Sequence, residues 1–201
     1  MRAPARPPAT LELYWIPLGA GTRVVRFSGR CYERVVAARQ RRAPAALYHA
    51  ALVADTADGR VTLEVAPTPD RFGRDRRGVV GAGPVGSRRL GRWRWFRYEV
   101  RCWAGGAIPD LDAAAALQRV STDAGEITAV LAAAAAVPTP TWGRDEIGAG
   151  DMWNSNSVVA WVLAEAGLLD RVGGPPPGGR APGWHAGAVA AERQLVRSTA
   201  R

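Results

Sequence analysis

Two runs of β-forming residues, Leu47 to Asp55 and Arg60 to Ala66, flank a turn that contains Asp58-Gly59. Asp-Gly between alternating runs is a strong short-range hairpin signal, and a hairpin commits the chain to an antiparallel sheet. Register then decides which side chains meet. Tyr48, Ala50 and Leu52 share one face of the first strand; His49, Ala51 and Val53 share the other. A loop with an even number of residues places His49 and Glu64 on the same, more polar face. With Thr56–Gly59 as the loop, Ala51 faces Glu64 and His49 faces Ala66, so His49 and Glu64 are diagonal neighbours roughly 7–8 Å apart at the backbone. A three-residue loop puts them on opposite faces.

Around this hairpin the chain alternates strand-like and helix-like segments. Residues 1–10 read as a disordered basic arm, 11–190 as a single domain and 191–201 as an Arg-rich tail. Leu11 to Ile16 reads as a short strand closed by Pro17 and the Gly19–Gly21 turn. Ser28 caps a helix to about Arg41, with Cys31, Val35 and Val36 on its apolar side. Residues 67–91 are a Gly-, Pro- and Arg-rich excursion, and Arg92 to Trp103 reads as a strand. Asp110 to Arg119 reads as a short helix or loop. Ser121 or Thr122 caps a helix that reaches Ala136 and stops before Pro138. After the loop Pro138–Gly150, a further helix begins beyond Asn154 and ends at Gly167, a usual residue just past a helix end. The expected architecture is α+β, an antiparallel sheet packed against helices.

The start of that later helix draws attention. Asn154-Ser155-Asn156 runs directly into Ser157-Val158-Val159-Ala160-Trp161. The first backbone N–H groups of a helix lack partners, and its dipole favours negative charge there. The order of Tyr48-His49-Ala50-Ala51-Leu52, then Leu63-Glu64-Val65, then Trp153-Asn154-Ser155-Asn156-Ser157 resembles the circularly permuted NlpC/P60-like branch of the papain-like superfamily, in which the histidine strand precedes the nucleophile helix. The likeness spans roughly residues 45–170 and rests on short motifs. It implies Ser155 at the nucleophile position, where the Asn-Cys-Asn start of permuted peptidases holds cysteine. It further implies His49 as general base and Glu64 as the group orienting the imidazole. The Ser155 N–H and the Asn154 amide would serve an oxyanion, and Asn156, Trp153 and Trp142 join Asn154 as candidate ligand contacts. The implied chemistry is hydrolysis or transfer of an amide, thioester or ester acyl group. Serine in place of cysteine changes the requirement, because a hydroxyl does not ionise at a helix N-terminus and must lose its proton to the base during attack.

The alternatives to this site are specific. Asn154 to Ser157 is also a good capping sequence; taken singly, His49 suits an ordinary core or surface histidine and Glu64 a solvated strand residue. Gly81-Ala82-Gly83-Pro84-Val85-Gly86 matches the dinucleotide-binding G-x-G-x-x-G, but no crossover helix follows it, so a Gly/Pro turn is the better reading. Arg92-Trp93-Arg94-Trp95-Phe96-Arg97-Tyr98 interleaves charge with aromatics, as single-stranded nucleic-acid grips do, or forms an amphipathic strand with Phe96 and Tyr98 inward. Asp145, Glu146 and Asp151 form a weak metal signal. Cys31 and Cys102 fit buried small hydrophobes, and with only His49 and His185 beside them the chain offers no zinc spacing; no cofactor is expected. All 27 basic residues are arginine and the net charge is +9, which suits either a polyanion surface or a GC-rich coding sequence. No apolar run approaches a membrane span and no signal-peptide pattern opens the chain, so the expected location is the cytoplasm.

Three readings remain open: a catalytically weak or inactive papain-like cleft protein that keeps a groove for a peptide, acyl or small-molecule ligand; an active serine-dependent hydrolase or acyltransferase using Ser155, His49 and Glu64; and an Arg/Trp-rich nucleic-acid-binding module.

Overall fold

The computed structural model describes residues 8–19, 23–68, 78–106, 108 and 110–199. Residues 1–7 of the expected arm and 69–77 of the expected excursion lie outside them.

The elements follow in the order β1 (Thr10–Pro17), α1 (Arg23–Arg39), β2 (Ala46–Thr56), β3 (Gly59–Thr68), β4 (Val79–Pro84), β5 (Arg97–Ala104), β6 (Ala116–Ser121), α2 (Ala124–Ala135), α3 (Ser155–Glu165), β7 (Gly179–Arg180) and α4 (Trp184–Thr199). Six strands form an antiparallel sheet in the order β4-β5-β3-β2-β1-β6. The two-residue β7 joins it by pairing in parallel with the start of β2, Ala46 to Gly179 and Leu47 to Arg180. The fold is α+β. No helix among the described residues is long and apolar enough to cross a membrane.

Alternation assigns the core face of the sheet. Leu11, Leu13 and Trp15 of β1, Ala50, Leu52 and Ala54 of β2, Leu63 of β3 and Tyr98 and Val100 of β5 pack together. They bury against Val158, Val159 and Val162 of α3 and Ile127, Val130 and Ala134 of α2. Residues 156–163 of α3 are all buried, the signature of a helix enclosed on every side. Its outer side is covered by α4, where a Cβ on Gly187 would fall 2.1 Å from the Ser157 carbonyl oxygen.

Several expectations are corrected. Helix α1 starts at Arg23, ahead of Ser28, and turns Glu33 and Ala37 inward while Cys31 and Val35 are exposed. Glu33 tolerates burial because Arg42 pairs with it and the Ala45 N–H donates to it at 2.8 Å. Val79–Pro84 is an edge strand and not a turn. Its glycines make room, since a Cβ on Gly83 would lie 2.5 Å from the Tyr98 ring and one on Gly81 3.0 Å from Thr139. Ala116–Ser121 is strand β6, at the other edge, and the residue that caps α2 is Asp123, whose carboxylate accepts from the Glu126 N–H at 2.9 Å. Leu90–Arg92 and Arg94–Phe96 form two 3-10 turns, and the strand expected from Arg92 begins only at Arg97. The segment Trp184–Thr199 is a 16-residue helix that runs unbroken past residue 190.

Candidate functional site

The hairpin turns through Ala57-Asp58, with Thr56 paired to Gly59 and Leu52 to Leu63. That is the even-loop arrangement, and His49 and Glu64 share a face. The β2–β3 ladder ends at Leu52 and Leu63, and β3 continues paired to β5 alone, with Glu64 opposite Arg101. The sheet therefore forks, and the N-terminus of α3 fills the fork. Asn156 takes the place of a neighbouring strand there: its Oδ1 accepts from the Ala50 N–H at 2.7 Å, and its Nδ2 donates to the Tyr48 carbonyl at 3.1 Å. A second Nδ2 bond, 2.8 Å to the Pro182 carbonyl, ties the same amide to the chain before α4. Asn156 is 3% exposed, so its amide serves the backbone and not a ligand.

The neighbours of Ser155 are equally committed. Asn154 caps α3, accepting from the Asn156 N–H at 2.9 Å and donating to the Pro182 carbonyl at 2.9 Å. Ser157 is fully buried; its hydroxyl donates to the Gly183 carbonyl at 2.7 Å and accepts from the Asn154 N–H at 3.0 Å. The two residues form a reciprocal capping box. Asp151 adds to the clamp by accepting from the Gly183 N–H at 2.7 Å. By contrast Ser155 is half-buried and its hydroxyl makes no hydrogen bond among the described residues. Its backbone N–H occupies the first helical position, where no intrahelical acceptor exists.

Ser155, His49 and Glu64 line one cavity of about 110 Å³, together with Ala51, Val65, Ile108, Asp110 and Val159. Three elements and one loop thus converge: α3, β2, β3 and the β5–β6 connection. The volume admits a group of a few heavy atoms, given that a water takes about 30 Å³. A separate cavity of about 810 Å³ is lined by Ala46 and Leu47 at the start of β2, by Ala113, and by Gly29, Glu33 and Arg34 of α1.

Burial pushes the His49 imidazole below its ordinary pKa, and the Asp110 carboxylate acts in the opposite sense. The net lowering keeps His49 neutral, the form that accepts a proton. Asp110 had no signal in the sequence, since it precedes an edge strand that reads as helix or loop.

The remaining candidates lie elsewhere. Trp153 is fully buried, and its backbone N–H donates to the Arg144 carbonyl. Trp142 packs with its ring centroid 5.3 Å from that of Tyr98, and its backbone N–H donates to the Pro84 carbonyl. Neither lines the cavity. The three loop carboxylates separate: Asp145 accepts from Ala149 and Gly150, Glu146 from Arg88 and Thr141, and Asp151 from Met152 and Gly183. His185 is exposed in the first turn of α4. Comparison with protein-family models, with curated proteins and with solved structures finds no match to this chain.

Proposed function

We propose that the protein is a permuted papain-like, NlpC/P60-related cleft protein, catalytically weak, that holds a small carbonyl-bearing group at the Ser155 end of α3. The observation that carries this reading is the convergence of Ser155, His49 and Glu64 from three elements on one cavity. The cavity suits the carbonyl group alone, so the remainder of a peptide, acyl or small-molecule ligand lies outside it.

Turnover would follow the serine route. The Ser155 oxygen bonds to the carbonyl carbon as its proton passes to neutral His49, and the Ser155 N–H faces the developing oxyanion. Collapse expels the amine, thiol or alcohol with the proton from His49, and water hydrolyses the resulting ester. The lowered His49 pKa favours a neutral base over an imidazolium, which suits a hydroxyl better than a thiolate pair. Turnover is slow because Ser155 has no hydrogen bond to a base among the described residues, so it is not activated before attack.

Ser155→Cys tests the site. Its thiol should react with iodoacetamide faster than exposed Cys31, and faster still than Cys102, whose pKa burial raises. Reactivity no greater than that of Cys31 counts against the site.

A second reading belongs to a different surface. Trp93, Trp95 and Phe96 are 48%, 76% and 40% exposed; Trp95 and Phe96 lie in the second 3-10 turn, and Trp93 lies between the two turns. Arg88, Arg89, Arg92 and Arg94 are exposed around them, and the Arg92 guanidinium lies 4.6 Å from the Trp93 ring centroid. Charge beside stacking faces suits single-stranded nucleic acid. Binding of a labelled oligonucleotide should fall steeply with salt and weaken in Trp95→Ala; salt-independent binding, or none, removes this reading.

A further inference from the structure

We propose a second binding site, for a small phosphate monoester, in the cavity of about 440 Å³ where α1, β7 and the first turn of α4 meet. Three basic side chains from these three elements converge on it: Arg39 from the end of α1, Arg180 from β7 and His185 from α4. The cavity shares no lining residue with the one at Ser155 and does not depend on the function proposed there. Two observations carry the assignment.

First, the donors around the cavity are left over. Among the described residues the Arg39 guanidinium, the His185 imidazole and the Tyr32 hydroxyl, which also lines it, make no hydrogen bond. Gln40 spends only its Oε1, which accepts from Arg42 at 2.8 Å and from Arg180 at 3.3 Å, so its Nε2 amide is unspent as well. Arg180 is held loosely, since its other partner, Glu33, lies 3.7 Å away. Burial, followed by the Asp151 carboxylate, raises the Tyr32 pKa, which keeps that hydroxyl a donor. Second, the one carboxylate in the lining is committed. Asp151 accepts from the Met152 N–H at 2.9 Å on one oxygen and from the Gly183 N–H at 2.7 Å on the other. The first turn of α4 has no acidic residue. Two guanidinium charges against one carboxylate leave the lining net positive.

These donors fit a phosphate better than a carboxylate. Five side chains offer N–H or O–H groups to one space, more than the two oxygens of a carboxylate would use, and a monoester presents three terminal oxygens. The planar guanidinium fork suits such oxygens in pairs. The frame that carries the donors is fixed: β7 pairs Arg180 with Leu47 of β2, and Asp151 ties Gly183 just ahead of α4. The volume exceeds what a phosphate group fills, at about 30 Å³ for each water-sized atom. Val36, beside Tyr32 on α1, gives the organic remainder an apolar wall.

The chain has only two histidines, and the carbon-bound imidazole protons of each report by NMR on one cavity. Phenyl phosphate, added at constant ionic strength, should move the His185 signals saturably and leave those of His49 in place. Inorganic phosphate and benzoate should both bind more weakly. Arg39→Gln and Arg180→Gln should each weaken phenyl phosphate by about tenfold, the loss expected for one charge-assisted bond. Arg180→Lys should recover part of that loss, which separates charge from a loosening of β7. Arg197→Gln, at the far end of α4, and Ser155→Ala should bind as the wild type does. The inference is overturned if the His185 signals show no saturable shift, or if benzoate or inorganic phosphate binds as tightly as phenyl phosphate. It is equally overturned if Arg197→Gln or Ser155→Ala weakens binding as much as Arg39→Gln does.

Discussion

Four consecutive side chains, Asn154 to Ser157, divide their work unevenly. Asn154, Asn156 and Ser157 are all tied into the backbone around the fork, while the Ser155 hydroxyl is tied to nothing among the described residues. Stability should show the same division. Ser157→Ala removes a buried donor from the Gly183 carbonyl and an acceptor from the Asn154 N–H, a loss of about 1–3 kcal/mol. Ser155→Ala should lie within about 0.5 kcal/mol of wild type, as expected where no buried partner is lost. Urea denaturation of both variants checks this, and equal losses would make Ser155 a structural residue. Asn156→Asp is a harsher change. It sets a carboxylate against the Tyr48 and Pro182 carbonyls that the amide now donates to, and should cost more than Ser157→Ala in the same measurement.

Helix α3 was visible in the sequence because its start is rich in capping residues and its body is apolar, but its partner α4 was not. The inward side of α4 includes Ala186, Gly187 and Ala191, which give almost no hydrophobic period, and its outward side shows Leu195 and Val196 to solvent. Small residues there permit the close approach that seals α3. Gly187→Ala should therefore destabilise by about 1–3 kcal/mol, the usual cost of overpacking, because the nearest obstacle is the Ser157 backbone. Gly174→Ala, with nothing within 4 Å of its added Cβ, should be neutral or mildly stabilising. Equal melting temperatures for the two would mean that α4 packs more loosely on α3. The same contrast explains what else was legible. The hairpin register followed from Asp58-Gly59 and alternation, so the shared face of His49 and Glu64 could be read locally. The end of their ladder could not, because it depends on Asn156, more than a hundred residues away. Edge strand β4 was masked by glycines whose reason is the Tyr98 ring, and β6 by its place in an alanine-rich run. At Trp93–Phe96 the alternation between Arg and aromatic residues imitates a strand, where the chain forms 3-10 turns.

Across the whole molecule, stability should fall with acid in two stages of different origin. His49 is lowered by burial, so between its native pKa and about 6.5 the unfolded chain binds a proton that the native state refuses. The stability that this group confers is complete above about 6.5 and is lost as pH falls below it. Glu146 acts further down. Arg88 and Thr141 hold its pKa at about 2, and Asp55, Glu126 and Asp145 are also lowered by their partners. Their contribution is complete above the ordinary carboxylate range and is lost as pH falls through the lowered values. The excess of arginine deepens this second stage, since each protonated carboxylate adds to a charge that is already +9. Salt should separate the stages. Arg88 and Glu146 meet at the surface, where added salt screens their attraction; the His49 penalty comes from burial and should respond little. Denaturation midpoints from pH 8 to pH 3, at low and high salt, should show the upper stage vanish in His49→Gln and the lower stage shrink in Glu146→Gln. An upper stage that survives His49→Gln would place the titrating group elsewhere and take from the cavity its buried, neutral base.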